Sequence, residues 1–137
     1  MKTCLIPLLV VLAVAVVLLS CGTSKHMLMS VNISPATADA ADYSNSQVPF
    51  VANAVYSTNP SPVTPFSATW GACDILGNPT TDVTVSSAGL AQCSSSASGT
   101  FTVWAFGTVD LGGMCGAQNA CGFGCGRVTG TAMLTCP

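Results

Sequence analysis

Hydrophobic and polar positions divide this chain at Cys21. Residues 5–19 are almost all apolar, and Gly22-Thr23-Ser24-Lys25 opens a stretch of different texture. Beyond it, apolar positions tend to recur every second residue, the spacing of half-buried strands. Met29, Val31 and Ile33 predict a first strand closed by Ser34-Pro35, and residues 39–46 read as a polar connector. Residues 47–56 form the clearest strand, with Val48, Phe50, Ala52, Ala54 and Tyr56 on one face. Pro49 cannot donate to a ladder, which places that end at an edge or bulge. Residues 57–65, with three prolines, are a loop. Residues 67–70 predict a short strand burying Ala68 and Trp70, and residues 82–86 another with Val83 and Val85 inward. Ser87-Ala88-Gly89 then turns the chain into residues 90–93, Gly89 taking the positive φ. Over residues 100–108, Phe101, Val103 and Ala105 face inward, which puts Thr102, Trp104 and Phe106 outward. Residues 110–126 are a Gly- and Cys-rich loop, and residues 128–136 close the chain with Ala132 and Leu134 inward. No amphipathic helix follows Cys21, so the pattern predicts an all-β sandwich in one domain over residues 29–137.

Composition narrows the chemistry. Lys2, Lys25 and Arg127 are the only basic residues, Asp39, Asp42, Asp74, Asp82 and Asp110 the only acidic ones, and Glu is absent. Nucleic acid needs a basic stripe to neutralise its phosphates, and an anionic membrane surface needs a basic cluster; neither exists here. Scarcity of Glu and Lys also removes good helix formers. The one histidine, His26, sits in the polar stretch after Cys21, where solvation is its expected state. A Ser-His-Asp arrangement or a His-based zinc site within the domain is therefore implausible, and no cofactor is implied.

The N-terminal segment has the form of a secretory signal, a short positive end followed by an apolar run. Its length is marginal for spanning a bilayer, which takes about 20 apolar residues. Leu18-Leu19-Ser20-Cys21 resembles the cleavage motif of bacterial lipoproteins. That resemblance implies a signal peptide over residues 1–20, Cys21 as the lipidated mature N-terminus, and residues 21–28 as a tether. It places the domain at the bacterial cell envelope, with the membrane as a partner through the lipid. Attachment by several acyl chains is stable at ~0.8 kcal/mol per buried methylene. Cys4 lies in the segment removed.

A second resemblance is carried by Ser34-Pro35-Ala36-Thr37-Ala38, the strand with Phe50, Ala68-Thr69-Trp70, Val85-Ser86-Ser87-Ala88-Gly89-Leu90, Gly99-Thr100 and Gly130-Thr131-Ala132-Met133-Leu134. These are similar to the bacterial immunoglobulin-like group-2 domain over most of residues 29–136. The resemblance implies an immunoglobulin-like sandwich of about seven strands, a fold of adhesins, surface proteins and spacer modules. The chain departs from it by the proline-rich loop, by six cysteines in the domain and by the long final loop.

Setting Cys4 and Cys21 aside leaves Cys73, Cys93, Cys115, Cys121, Cys125 and Cys136, an even number suited to disulfides in an oxidising compartment. If the sandwich holds, alternating strand directions bring Cys73 and Cys93 to one end. They are the first expected pair, a bridge worth on the order of 3 kcal/mol. Pairing of Cys125 with Cys136 is disfavoured by the extended strand between them. The final loop is then expected to fold back so that Cys115 or Cys121 reaches Cys136, covering Trp104 and Phe106. Alternatively Trp104 and Phe106 form an exposed patch for a peptide or a sugar. Zinc held by these cysteines is disfavoured by their spacing, and Gly122-Phe123-Gly124-Cys125-Gly126 lacks the lysine and helix of a phosphate loop. The carboxylates sit in predicted connectors, so a small hydrolase ranks behind a non-enzymatic structural or interaction module and behind a carbohydrate- or peptide-binding one.

Overall fold

The computed structural model describes residues 25–108, 121, 124 and 126–137. Among these, the strands are β1 (Leu28–Ser34), β2 (Thr37–Asp39), β3 (Gln47–Pro49), β4 (Val51–Tyr56), β5 (Thr69–Asp74), β6 (Val83–Val85), β7 (Leu90–Cys93), β8 (Gly99–Thr108) and β9 (Arg127–Cys136). β3 and β4 are one strand that changes partner at Phe50: β3 pairs with β7, and β4 pairs with β1. Pro49 stands at that break, where the missing N–H costs the ladder least. One layer therefore runs β1, β4 with β3, β7, β6, and the other β2, β9, β8, β5. When β1 with β2 and β3 with β4 are each counted once, the nine segments become seven strands. Their orders, first-second-fifth-fourth over third-sixth-seventh, are those of the constant-type immunoglobulin sandwich. The expected all-β, immunoglobulin-like architecture is the one observed.

The interior is thin because many inward positions carry alanine. Phe50, Val48, Val103 and Leu134 are fully buried, and Ala40, Ala52, Ala54, Ala91, Ala105 and Ala132 fill the space between them. Phe101, Val103, Ala105, Ala132 and Leu134 face inward as their alternation requires. β1 departs from the expected phase. Its register shifts between Leu28 and Ser30, so Leu28 takes the inward place and Met29 is left 62% exposed. β5 also runs further than the pattern predicts, to Asp74, because Gly71-Ala72-Cys73 pairs with β8 without needing bulky residues.

Gly89 carries the turn between β6 and β7. Its φ is +83, and an added Cβ would stand 2.3 Å from the Phe50 carbonyl oxygen. Only glycine suits that place, and the Phe50 N–H donates to the Gly89 carbonyl at 2.9 Å, fixing the point where β3 gives way to β4. The pairings also define two ends of the sandwich. At the entry end lie Lys25, the end of β4, the starts of β5, β7 and β9 and the end of β8; at the far end lie the ends of β5, β7 and β9 and the starts of β6 and β8.

Candidate functional site

The outer face of the β5–β8–β9 sheet gathers most of the side chains singled out from sequence. Thr102, Trp104, Phe106 and Thr108 of β8 stand on it, opposite Cys73, Gly71 and Thr69 of β5 and Met133, Thr131, Thr129 and Arg127 of β9. Trp104 and Phe106 stack with centroids 5.6 Å apart and planes 22° from parallel. The Arg127 guanidinium lies 4.0 Å over the Phe106 ring, a cation–π contact. Gly71 makes the seat for the indole: an added Cβ there would fall 2.2 Å from the Trp104 ring. The result is a layered row of guanidinium, phenyl and indole flanked by threonine hydroxyls.

The two aromatics face outward as their positions in β8 require, but they are not an open patch. Phe106 is 7% exposed, and Trp104 is half-buried. The Trp104 Nε1–H is buried with no hydrogen-bond partner among the described residues, an uncommon state for an indole and one that costs stability. Sequence reasoning missed Arg127 as the third member. The only arginine, placed at the start of the strand next to an aromatic one, was the available signal.

The cysteines correct the expected connectivity. Cys73 bonds Cys121, and Cys93 bonds Cys136, with Cα atoms 5.7 and 5.9 Å apart. Cys73 and Cys93 do lie at the same end, yet they face different ways. Cys73 pairs with outward Thr102, whereas Cys93 alternates with Gln92 and shares the inward face of Ala91. Cys136 belongs with inward Ala132 and Leu134, so the bridge it forms with Cys93 joins the two layers through the core. Cys121 accordingly reaches the β5 side and not Cys136. Cys115 and Cys125 lie outside the described residues, as does Cys21. The four bonded cysteines are not available as thiolates, and among the described residues no group of three or more His, Cys, Asp or Glu could hold a metal ion.

The N-terminal stretch is tied down earlier than the tether of residues 21–28 predicts. Ser57 Oγ donates to the Lys25 carbonyl at 2.8 Å and accepts from the Met27 N–H at 3.0 Å, and the Ser57 N–H donates to the Met27 carbonyl at 2.9 Å. His26 is exposed but not free in solvent. Its ring stacks on Tyr56 at 4.1 Å, and its Nδ1 is 2.9 Å from Thr58 Oγ1.

Among the described carboxylates, Asp39 and Asp42 share one 3-10 turn, whereas Asp74 and Asp82 lie elsewhere. Asp39 accepts from the Ala41 N–H at 2.9 Å, capping a 3-10 turn. Asp74 accepts from the Leu76 and Asn78 N–H groups and from Asn78 Nδ2. The Asn78 side chain first, then the backbone N–H groups, hold the Asp74 carboxyl below the ordinary range. A shallow groove of about 610 Å³ lies between Asp39, Asp42, Tyr43, Thr37, Met133 and Thr135. Among the described residues its lining gathers two carboxylates and hydroxyl groups, the Tyr43 phenol among them, and no histidine, cysteine or cation. No family model and no curated protein matches this chain.

Proposed function

We propose that the chain is a lipid-anchored protein of the bacterial envelope whose single domain, of the bacterial immunoglobulin-like group-2 kind, is a non-enzymatic structural or interaction module. The observation that carries this reading is the clasp of Ser57 on residues 25–27. The clasp begins at Lys25, four positions after Cys21 in the sequence and at one end of a bridged sandwich, and a lipid on Cys21 would hold that entry end toward the membrane and turn the far end outward. Two disulfides in the described residues suit an exported, oxidising location. In the hydroxyl- and carboxylate-bearing groove Asp39 is engaged as a turn cap, its carboxylate accepting from the Ala41 N–H, which leaves Asp42 and Tyr43 as the other acid–base groups of its described lining.

Metabolic labelling with a radioactive fatty acid tests the anchor. Incorporation in the native chain and its loss in Cys21→Ser are expected; equal incorporation in both overturns the reading. A second reading, a carbohydrate- or peptide-binding module, is favoured by the half-buried Trp104 beside threonine hydroxyls. Quenching of tryptophan emission by soluble glycan fragments, abolished by Trp104→Ala, would replace the first reading with this one.

A further inference from the structure

The few charges of this domain are sorted by end. Asp39 and Asp74 close β2 and β5, Asp42 follows in the adjacent 3-10 turn, and Asp82 precedes β6, its carbonyl accepting from the Ser94 N–H just past β7. All four stand at the far end. Lys25, clasped by Ser57, and Arg127, opposite Thr108, stand at the entry end. At the edge of the acidic end where β5 lies, the turn after that strand presents two aliphatic side chains, Ile75 at 68% and Leu76 at 81% exposure, the highest of the large hydrophobics among the described residues. Scattered exposed hydrophobics need no explanation, but this pair is adjacent and held in place. Asp74 Oδ1 accepts from the Leu76 N–H at 2.9 Å and the Asn78 N–H at 2.8 Å, the Gly77 N–H donates to the Asp74 carbonyl at 3.1 Å, and the Asp74 N–H donates to the Asn78 carbonyl at 3.0 Å. Cys73, next in the chain, is bonded to Cys121. A turn so tied loses little further freedom when its side chains are buried by a partner, which is the requirement for an anchor residue at an interface.

We propose that Ile75 and Leu76 are the docking tip of this domain and that their occupant is a protein presenting an apolar pocket within a rim of Lys and Arg. Charge complementarity selects that partner. Four carboxylates without a cation repel an anionic bilayer and the same end of a second copy, and they steer a cationic rim onto the tip. The inference deepens the interaction-module reading and rests on it only in taking the domain to bind a partner.

The test uses the full chain in the cells that produce it, with a benzophenone amino acid placed at position 76 or, as an exposed control at the entry end, at position 29. Irradiation is expected to give one discrete adduct from position 76 and none from position 29. Mass spectrometry should map the link to an apolar residue with Lys or Arg neighbours. Asp42→Asn with Asp82→Asn, which leaves the Asp74 turn untouched, is expected to lower the yield about tenfold while the melting temperature is preserved. Absence of an adduct from position 76 overturns the proposal. So do equal adducts from both positions, an adduct of doubled chain mass, a link to lipid, or a yield indifferent to the two substitutions. Fatty-acid labelling of Cys21 is read separately in the same cells, so a failed tip and a failed anchor give different results.

Discussion

The bridge between Cys93 and Cys136 offers a stability test with a definite magnitude. Replacing both residues with alanine frees the chain over a sequence separation of 43 in the unfolded state. The loop-closure entropy restored to that state corresponds to about 4 kcal/mol at 25 °C. Against a total of about 5–15 kcal/mol for a domain of this size, the loss is a large fraction. An unfolding entropy of roughly 2.1 cal/mol/K per residue over residues 29–137 converts it to a fall in melting temperature of about 15–20 °C. The vacated sulfur positions add a smaller cost, because Cys93 and Cys136 are 8% and 3% exposed and pack in the core. Circular dichroism melts of the oxidised native chain and of Cys93→Ala/Cys136→Ala would read the difference. The native chain in strong reductant should melt no higher than the variant in oxidising buffer. A variant melting within about 5 °C of the native chain would refute the reasoning. So would a non-reduced peptide map joining Cys73 to Cys93.

Four shorter predictions follow from other features. Gly89→Ala forces a positive φ on alanine and drives its Cβ toward the Phe50 carbonyl, so urea denaturation should show a loss of at least about 2 kcal/mol. Trp104→Phe removes the unpartnered indole N–H while keeping a ring on Phe106, and should cost under about 1.5 kcal/mol, whereas Trp104→Ala should cost about 3. Because the Asp74 carboxyl is held below its ordinary value, its contribution is present above the unfolded pKa and is lost as pH falls through the folded one. Melting temperature below about pH 4 should therefore fall less steeply with acid in Asp74→Asn than in the native chain, and carboxyl NMR titration should place the Asp74 midpoint below the ordinary Asp range. With Cys4 and Cys21 set aside, as the proposed lipid anchor requires, cysteine parity leaves one more pair beyond the two observed bridges, so the mass gained on reduction and alkylation should count three.

Alternation along the longer strands made most of the core legible. Phe101, Val103, Ala105, Ala132, Leu134 and the run from Val48 to Ala54 lie where period two puts them. β2 was invisible because three residues, Thr37-Ala38-Asp39, carry no repeating apolar signal and gain their pairing only from Met133 to Thr135 of β9. Leu28 for Met29 was lost to a bulge, which shifts phase by one without marking the sequence. The disulfide error had a related cause. Strand direction tells which end a cysteine occupies, whereas the inward or outward phase tells whether it can bond across the core; Cys73 and Cys93 agree in the first and differ in the second. Of the outer-face site, Trp104 and Phe106 could be read from their phase in β8, while Arg127 and Gly71 enter only through cross-strand neighbours. Asp74 to Asn78 held a turn signature in its Gly-Asn pair, but exposure of Ile75 and Leu76 depends on which backbone groups the Asp74 carboxylate engages.

The two bridges interleave along the chain, Cys73 with Cys121 and Cys93 with Cys136. Were the domain pulled between the proposed anchor on Cys21 and the proposed tip at residues 75–76, these bonds would leave one part of the molecule more extensible than the other. Residues 25–72 contain neither bridge, so releasing β1 to β4 and the start of β5 from their partners can pay out roughly 160 Å of extended chain. Residues 73–136 stay within two overlapping covalent loops, so they cannot be drawn out to full length while the bonds hold. Pulled in this direction, the domain behaves as a short spring fastened to a rigid head.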